Sequence, residues 1–190
     1  EIGLRILIAS IVRAFSRHDK SFVPLISYSK IHYFRIMGIS TSSTRLAGKS
    51  AETIGYAFYC KKCGNRRITD ETEKEKCDIC GTEFTTAGPL WTGPINSGIF
   101  LEKMIENNDL KNPELASLLE TLHKESAILE PFYDLHQICK KNHLEIPKRD
   151  DLFTELKKRN YKAEKTHHEL TGFRSDIDYK ELLEIIKGLS

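Results

Sequence analysis

No glycine-rich phosphate loop, nucleophile elbow, HExxH pair or paired catalytic-carboxylate motif occurs in this chain, so its residues assign no catalytic machinery of those kinds. No apolar run reaches the length of a membrane span and no signal peptide is visible; no membrane partner is expected, and the cytoplasm is the expected location. An initiator Met is also missing. Residues Glu1 to Phe15 carry apolar positions at helical spacing with no N-cap before them, which reads as a fragment whose upstream part is absent. The 190 residues, 39% hydrophobic and 29% charged, suit one medium globular domain or two small ones.

Cysteine is scarce, with five residues, but four of them form two knuckles, Cys60-Lys-Lys-Cys63 and Cys77-Asp-Ile-Cys80. This pairing suits a tetrahedral zinc site, because four thiolates place soft donors around a small cation. Gly64 and Gly81 follow each knuckle, where the backbone must turn so that its N–H groups face the sulfurs. Thirteen residues separate the knuckles, enough for one short hairpin. Four protein ligands leave no open coordination position, so the expected zinc is structural, and its loss should unfold the ribbon. A pair of disulfides, or free thiols of a degenerate site, is the alternative. Metal-binding knuckles point to a reducing compartment, and Cys139 reads as an ordinary buried thiol.

The net charge of +2 conceals segregation along the chain. Residues 1–50 carry eight Lys and Arg against two acids, residues 87–139 three against eight, and residues 140–174 ten against six. Two basic regions around an acidic one suggest a polyanion held at particular places. Solvated lysine-rich helix faces would give the same counts.

The pattern predicts a helix over 1–15 and an antiparallel hairpin from Phe22–Tyr28 and Ile31–Ile39, both rich in β-branched and aromatic residues. Ser40–Thr44 reads as a boundary or linker, followed by a strand at Gly55–Tyr59, the cysteine ribbon and a return strand near Glu83–Thr86. Gly88–Pro94 reads as a rigid turn segment holding the only Trp, which either caps a core or serves as a stacking platform. Helices are expected at about 97–108, 113–126, 133–142 and 149–160. A two-stranded hairpin from Tyr161–His167 and Gly172–Asp176 and a last helix near 178–188 follow. Helices followed by a hairpin give the order of a winged helix, in which Asp150–Arg159 would take the recognition position.

Tyr28, His32, Tyr33 and Arg35 form an aromatic and basic cluster on the first hairpin, suited to an unstacked base or a bent RNA backbone. Alternation along the strand puts His32 and Phe34 on one face, Tyr33 and Arg35 on the other; packing alone would also explain the aromatics. Lys157, Lys158 and Arg159 end the proposed recognition helix. Lys165, Thr166, His167 and Arg174 occupy the proposed wing. Adjacent His167 and His168 point in different directions along a strand, which argues against a metal site there.

These residues together resemble the tRNA (guanine-26-N2)-dimethyltransferases of archaea and eukaryotes. The matching stretches are Gly3–Ile8, Pro24–Tyr28, His32–Arg35, Gly55–Cys60 with its cysteine partners, Gly88–Pro94, Thr166-His167 and Gly172–Asp176, in the family's order. The family often has an aromatic residue and a proline where this chain reads His168–Thr171. The resemblance implies an α+β fold, with residues 1–42 as the terminal helix and β-hairpin of a class I methyltransferase sheet. Residues 43–190 would be a C-terminal tRNA-binding domain with a zinc ribbon at 55–90 and a winged-helix-like region at 113–190. It implies methylation of N2 of guanine 26 in tRNA from S-adenosylmethionine bound mainly by an upstream domain of the same protein. The present segment, alone inactive, would grip tRNA, and no catalytic residue is carried over. A non-enzymatic zinc-ribbon and winged-helix protein that binds DNA is the alternative.

Overall fold

The structure, a computed structural model, describes residues 1–70, 76–110 and 112–189. Helix α1 (Ile2–Ser16) turns Leu4, Ile8 and Val12, spaced four apart, onto one face of a hairpin formed by β1 (Lys20–Lys30) and β2 (Tyr33–Ser42). Phe22 and Ile36 meet that helix. A Cβ on Gly38 would strike the Phe22 ring at 2.5 Å, so glycine is what lets the strands close there. Ile31 and His32 form the hairpin turn, and Ile31 has a φ of 49°, a conformation unusual for a β-branched residue. His32 therefore sits in the turn and does not share a strand face with Phe34 as the sequence suggested.

The antiparallel register sets Tyr28 opposite Arg35 and Lys30 opposite Tyr33, so all four side chains share the face turned away from α1. On that face Ile26 packs against helices further along the chain, while Val23, Met37 and Ile39 stay exposed.

The Ser/Thr-rich stretch is not a linker. Ser40–Ser42 ends β2, and the Ser43 hydroxyl accepts the Leu46 N–H at 3.4 Å, capping an unanticipated helix α2 (Thr44–Glu52) that packs on α1 and β1. A sheet of order β4-β3-β5 follows, built from β3 (Ile54–Tyr59), β4 (Arg66–Thr69) and β5 (Thr85–Trp91). The expected turn at Gly88–Pro94 is mostly strand: β5 runs through a cis Gly88–Pro89 bond to Trp91, paired with Ile54. Trp91 is buried against Leu4 and Ile8, and its indole N–H donates to the Pro94 carbonyl at 2.9 Å. It caps the core and is no stacking platform.

The remaining elements are α3 (Gly98–Glu106), α4 (Pro113–Glu125), β6 (Tyr133–Asp134), α5 (Leu135–Asn142), α6 (Arg149–Lys158), β7 (Ala163–Lys165), β8 (Gly172–Ser175) and α7 (Tyr179–Leu189). Their starts follow local chemistry: Ser97, Asn112 and Asp134 cap α3, α4 and α5 with side-chain oxygens, and Pro113 opens α4. β6, β8 and β7 form an antiparallel sheet in that order, over a core of Leu152, Leu156, Phe173, Leu182 and Ile186.

Buried charges tie these parts together. Glu1 holds Arg5 at 2.8 Å and Arg174 at 3.1 Å, Arg174 reaches Glu125 at 3.2 Å, and Glu125 also pairs with His167. Burial pushes the Glu125 carboxyl up, but the His167 hydrogen bond and the charges of His167 and Arg174 outweigh it and hold its pKa below the usual value. Because the folded value is depressed, this stabilisation is present above the unfolded carboxyl pKa and disappears as pH falls through the folded one. Chemical denaturation against pH should show stability falling below about pH 4, less steeply in Glu125→Gln. Arg174→Met, which removes one shared cation from two buried carboxylates and leaves Glu1 with Arg5 and Glu125 with His167, is expected to cost about 3–5 kcal/mol.

Candidate metal centre and nucleic-acid interface

The hairpin of β3 and β4 folds back through the first knuckle. The Gly64 N–H donates to the Cys60 carbonyl at 2.9 Å and the Cys60 N–H to the Asn65 carbonyl at 2.7 Å. The second knuckle repeats the motif, with the Gly81 N–H on the Cys77 carbonyl at 2.7 Å and the Cys77 N–H on the Thr82 carbonyl at 2.8 Å. Gly64 and Gly81 have φ of 92° and 68°, the left-handed backbone for which glycine was expected. Residues 71–75, between the knuckles, lie outside the described residues.

The ligand atoms of Cys60, Cys63, Cys77 and Cys80 all lie within 4.8 Å of one another. This is one cluster of four sulfurs, with Cys60 3.4 Å from Cys80 and Cys63 3.6 Å from Cys77, and all four cysteines are free thiols. Disulfides at 2.0 Å are therefore not formed. Burial pushes the Cys63 thiol well up, whereas the Thr82 hydroxyl draws Cys80 down to about 6. Four sulfurs gathered this closely form a donor set that fits a divalent cation, which would favour the thiolate form of all four. Cys139 is a buried free thiol, as expected.

The knuckle does not stand alone. Tyr179 on α7 donates its hydroxyl to the Cys63 carbonyl at 2.6 Å, and the Asn142 amide on α5 reaches the same oxygen at 2.9 Å. Cys60, Cys63 and Cys77 thereby belong to the same core as Ile138, Leu156 and Phe173.

The residues expected to meet RNA separate into three groups, with exposed Lys165 at the end of β7 apart from them. Tyr28, Tyr33 and Arg35 share the outward hairpin face, with the Tyr28 and Tyr33 rings 6.3 Å apart edge to face and Arg35 5.7 Å from the Tyr33 centroid. Exposed His32 adjoins them in the turn. Lys157, Lys158 and Arg159 are exposed at the C-terminal end of α6, where Glu155 ion-pairs with Lys158 at 3.7 Å and with Arg159 at 3.0 Å. Arg174 is the correction, since its guanidinium is buried and committed to Glu125 and Glu1; Thr166 and His167 are less open than the sequence suggested, with largely buried side chains that reach the lining of one cleft. The positive charge of Arg174 reads as surface in sequence, but it belongs to the internal brace.

A cleft of about 740 Å³ lies where these regions approach, lined by Tyr28, Lys30, Arg149 and Lys165, with Ser117 and Thr121 of α4 along one side. Ser29 fastens its wall: its N–H donates to His167 Nε2 at 3.4 Å and its hydroxyl lies 2.8 Å from His168 Nδ1. Sequence reasoning set Lys30 beside the aromatic cluster without assigning it to a site and missed Arg149; the basic blocks that contain them were the available signal. Among the described residues no helix is long and apolar enough to cross a membrane.

Comparison with known proteins bears directly on this arrangement. The family model described as N2,N2-dimethylguanosine tRNA methyltransferase matches residues 1–187. The chain belongs to that family. Among its relatives are tRNA (guanine(26)-N(2))-dimethyltransferases of Methanosphaera stadtmanae, 35% identical over 98% of this chain and 50% of the relative, and of Methanosarcina barkeri, 32% identical over 100% and 50%. The chain thus spans about half the length of the curated relatives it matches. The Trm1 structure from Pyrococcus horikoshii in complex with S-adenosyl-L-methionine shares the fold at a TM-score of 0.84 and 24% identity, over 97% of this chain and 49% of that one. The α+β class is common to both, and family membership agrees with the resemblance carried by the sequence motifs.

Within this family member, the contact between knuckle and α7 is open to a simple check. Tyr179→Phe removes the donor to the Cys63 carbonyl and is expected to cost about 1 kcal/mol, read as a lower urea midpoint with an unchanged slope.

Proposed function

We propose that this chain is the tRNA-binding and sheet-closing portion of a tRNA (guanine-N2)-methyltransferase acting at guanine 26. The observation that carries the reading is the hairpin. Its β1–β2 pair stands as a sheet of its own, covered by α1 on one side, while Val23, Met37 and Ile39 lie exposed on the other. Two strands are rarely stable alone, and such a face fits the last helix and hairpin of a larger sheet supplied by the rest of the protein. Residues 1–42 would close that sheet, although α2 packs back on α1 and makes the boundary at residue 43 less sharp than a linker would.

Residues 43–190 then supply tRNA binding. The order α4, β6, α5, α6, β7, β8, with the sheet arranged β6-β8-β7, supports a winged-helix-like reading in which α6 would take the recognition position. Zinc fits the four sulfurs and would staple the ribbon, its closed ligand set leaving no place for a reacting group. In the reaction the guanine exocyclic nitrogen takes a methyl group from the sulfonium of S-adenosylmethionine. This chain's residues include no glycine-rich donor loop and none is assigned to the transfer; their part is to bind and orient the RNA. The charges of α6, acidic in its first turn at Asp150 and Asp151 and with Lys158 and Arg159 paired to Glu155 at its end, do not separate tRNA from the DNA-binding alternative.

The full-length protein is expected to methylate N2 of guanine 26 in a tRNA transcript, read by nucleoside mass spectrometry, and to leave a transcript with adenosine there unmodified. Preference for duplex DNA over tRNA in competition would sink the proposal. Charge reversal at Arg35, or jointly at Lys157, Lys158 and Arg159, should weaken tRNA binding and flatten its salt dependence by about 0.7 per lost phosphate contact. Metal analysis should find one zinc per chain. Cys77→Ser should lose it, together with hydrogen-exchange protection across β3, β4 and α7; retained protection would contradict a structural role for the metal.

A further inference from the structure

We infer that the cleft between the first hairpin and α4 receives one strand of the RNA, with Glu114 holding Lys30 in place of a phosphate until that strand displaces it. The inference rests on the tRNA-binding reading above and adds the path of the strand and the residues along it.

The walls of the cleft come from distant parts of the chain. β1 contributes Tyr28 and Lys30, α4 contributes Glu114, Ser117 and Thr121, Arg149 opens α6, and Lys165 ends β7. The hairpin register extends this wall outward, because Tyr33 and Arg35 lie on the same face as Tyr28 and Lys30. Two rings and two cations then alternate along one ledge, with Lys165 and Arg149 lining the cleft beside it. This composition fits a single-stranded polyanion: aromatic faces accept bases of any identity, while the cations follow the sugar-phosphate backbone. The hydroxyls of Ser117 and Thr121 suit ribose and phosphate oxygens. His168, on the same wall, keeps a buried Nε2 without a hydrogen-bond partner, although its Nδ1 is engaged by Ser29.

Whereas Arg149 donates to the Leu170 carbonyl at 2.8 Å, Lys30 is held by a carboxylate, Glu114. The pair is exposed, with side chains 45% and 76% accessible, so it is held weakly and can be exchanged. Glu114 bridges from the second residue of α4 to the end of β1 and presents a carboxylate oxygen to Lys30 as a phosphate would. Until RNA arrives, the carboxylate neutralises the cleft mouth. Polyanions that fail to fill the cleft gain nothing from Lys30, whereas a strand that also engages Tyr28, Tyr33 and Lys165 replaces Glu114.

The test uses the full-length protein and a tRNA transcript with guanine at position 26, titrated across a salt series. Joint Lys30→Ala and Lys165→Ala should lower affinity about tenfold and flatten the salt slope by about 1.4, two single-strand phosphate contacts. Lys30→Arg should restore the Lys30 share. Tyr33→Ala should weaken binding at least fivefold with the salt slope unchanged, the signature of stacking. Glu114→Gln should raise affinity two- to threefold and also raise binding of a non-cognate RNA. Lys187→Ala, on α7, serves as the control for a general loss of charge. Wild-type affinity and slope in the double variant, with Arg35→Glu still weakened, would overturn the cleft path while leaving tRNA binding intact. Failure of the wild type to bind tRNA would instead overturn the reading on which the path rests. Lower affinity in Glu114→Gln would show that Glu114 is no stand-in for phosphate.

Discussion

Arg174 and the carboxylates that surround it are the interaction on which the rest of the structure depends. A guanidinium 1% exposed is costly to bury, and neither Glu1 nor Glu125 alone offers acceptors for its whole fork. Arg174 reaches Glu1 and Glu125 at the same time and also donates to the Glu130 carbonyl at 2.7 Å. Arg5, the second buried guanidinium, gives its remaining N–H groups to the carbonyls of Trp91, Gly93 and Leu129. Each charge is acceptable only because the next is in place, so α1, β5, α4 and β8 take one mutual arrangement. Apolar packing would allow these elements to slide; directional charge-assisted hydrogen bonds do not.

That brace also explains where sequence reasoning succeeded and where it failed. The helices were legible because their signals are local: an N-cap oxygen, a proline in the first turn, an apolar stripe at helical spacing. The cysteine knuckles were legible because four identical donors at fixed spacing have few other uses. Arg174 and His167 were not, since the partners that bury them are remote; Glu1 is 173 positions from Arg174, and Glu125 is 42 from His167. A cation without a visible local partner reads as surface. Ser40–Thr44 misled for a related reason, because a run of hydroxyls resembles a linker until one of them, Ser43, is seen to cap a helix. In β5 the glycine and proline that suggest a turn are accommodated within a strand.

The sulfur cluster and the C-terminal core form one cooperative unit rather than a module with an attachment. Cys60, Cys63 and Cys77 pack into the core that holds Tyr133, Phe173 and Leu182, and two side chains from α5 and α7 converge on the Cys63 carbonyl. Arg66, one turn beyond the first knuckle, stacks 4.0 Å over the Tyr133 ring and donates to the Pro131 carbonyl at 2.6 Å. A metal that orders the knuckles therefore orders the support of β6 and α5 as well. Its influence on RNA binding would be felt through the position of α6, without any contact between metal and nucleic acid.

The hairpin has two faces with two different obligations, and this sets how the parts can communicate. One face carries Phe22 and Ile36 against α1; the other carries Ile26 against α3 and α4 and ends in Tyr28 and Lys30. Ser29, between those last two, is bonded to both histidines of the β7–β8 connection, and His167 in turn holds Glu125. A strand of RNA pressing on Lys30 and Tyr28 would thus push on β1 while the brace fixes the opposite wall. Displacement of β1 would be felt by β2 and α1, the elements proposed to complete the methyltransferase sheet, and by α2 and α3, which also pack on it. The proposed cleft and the proposed sheet would then share the eleven residues of a single strand.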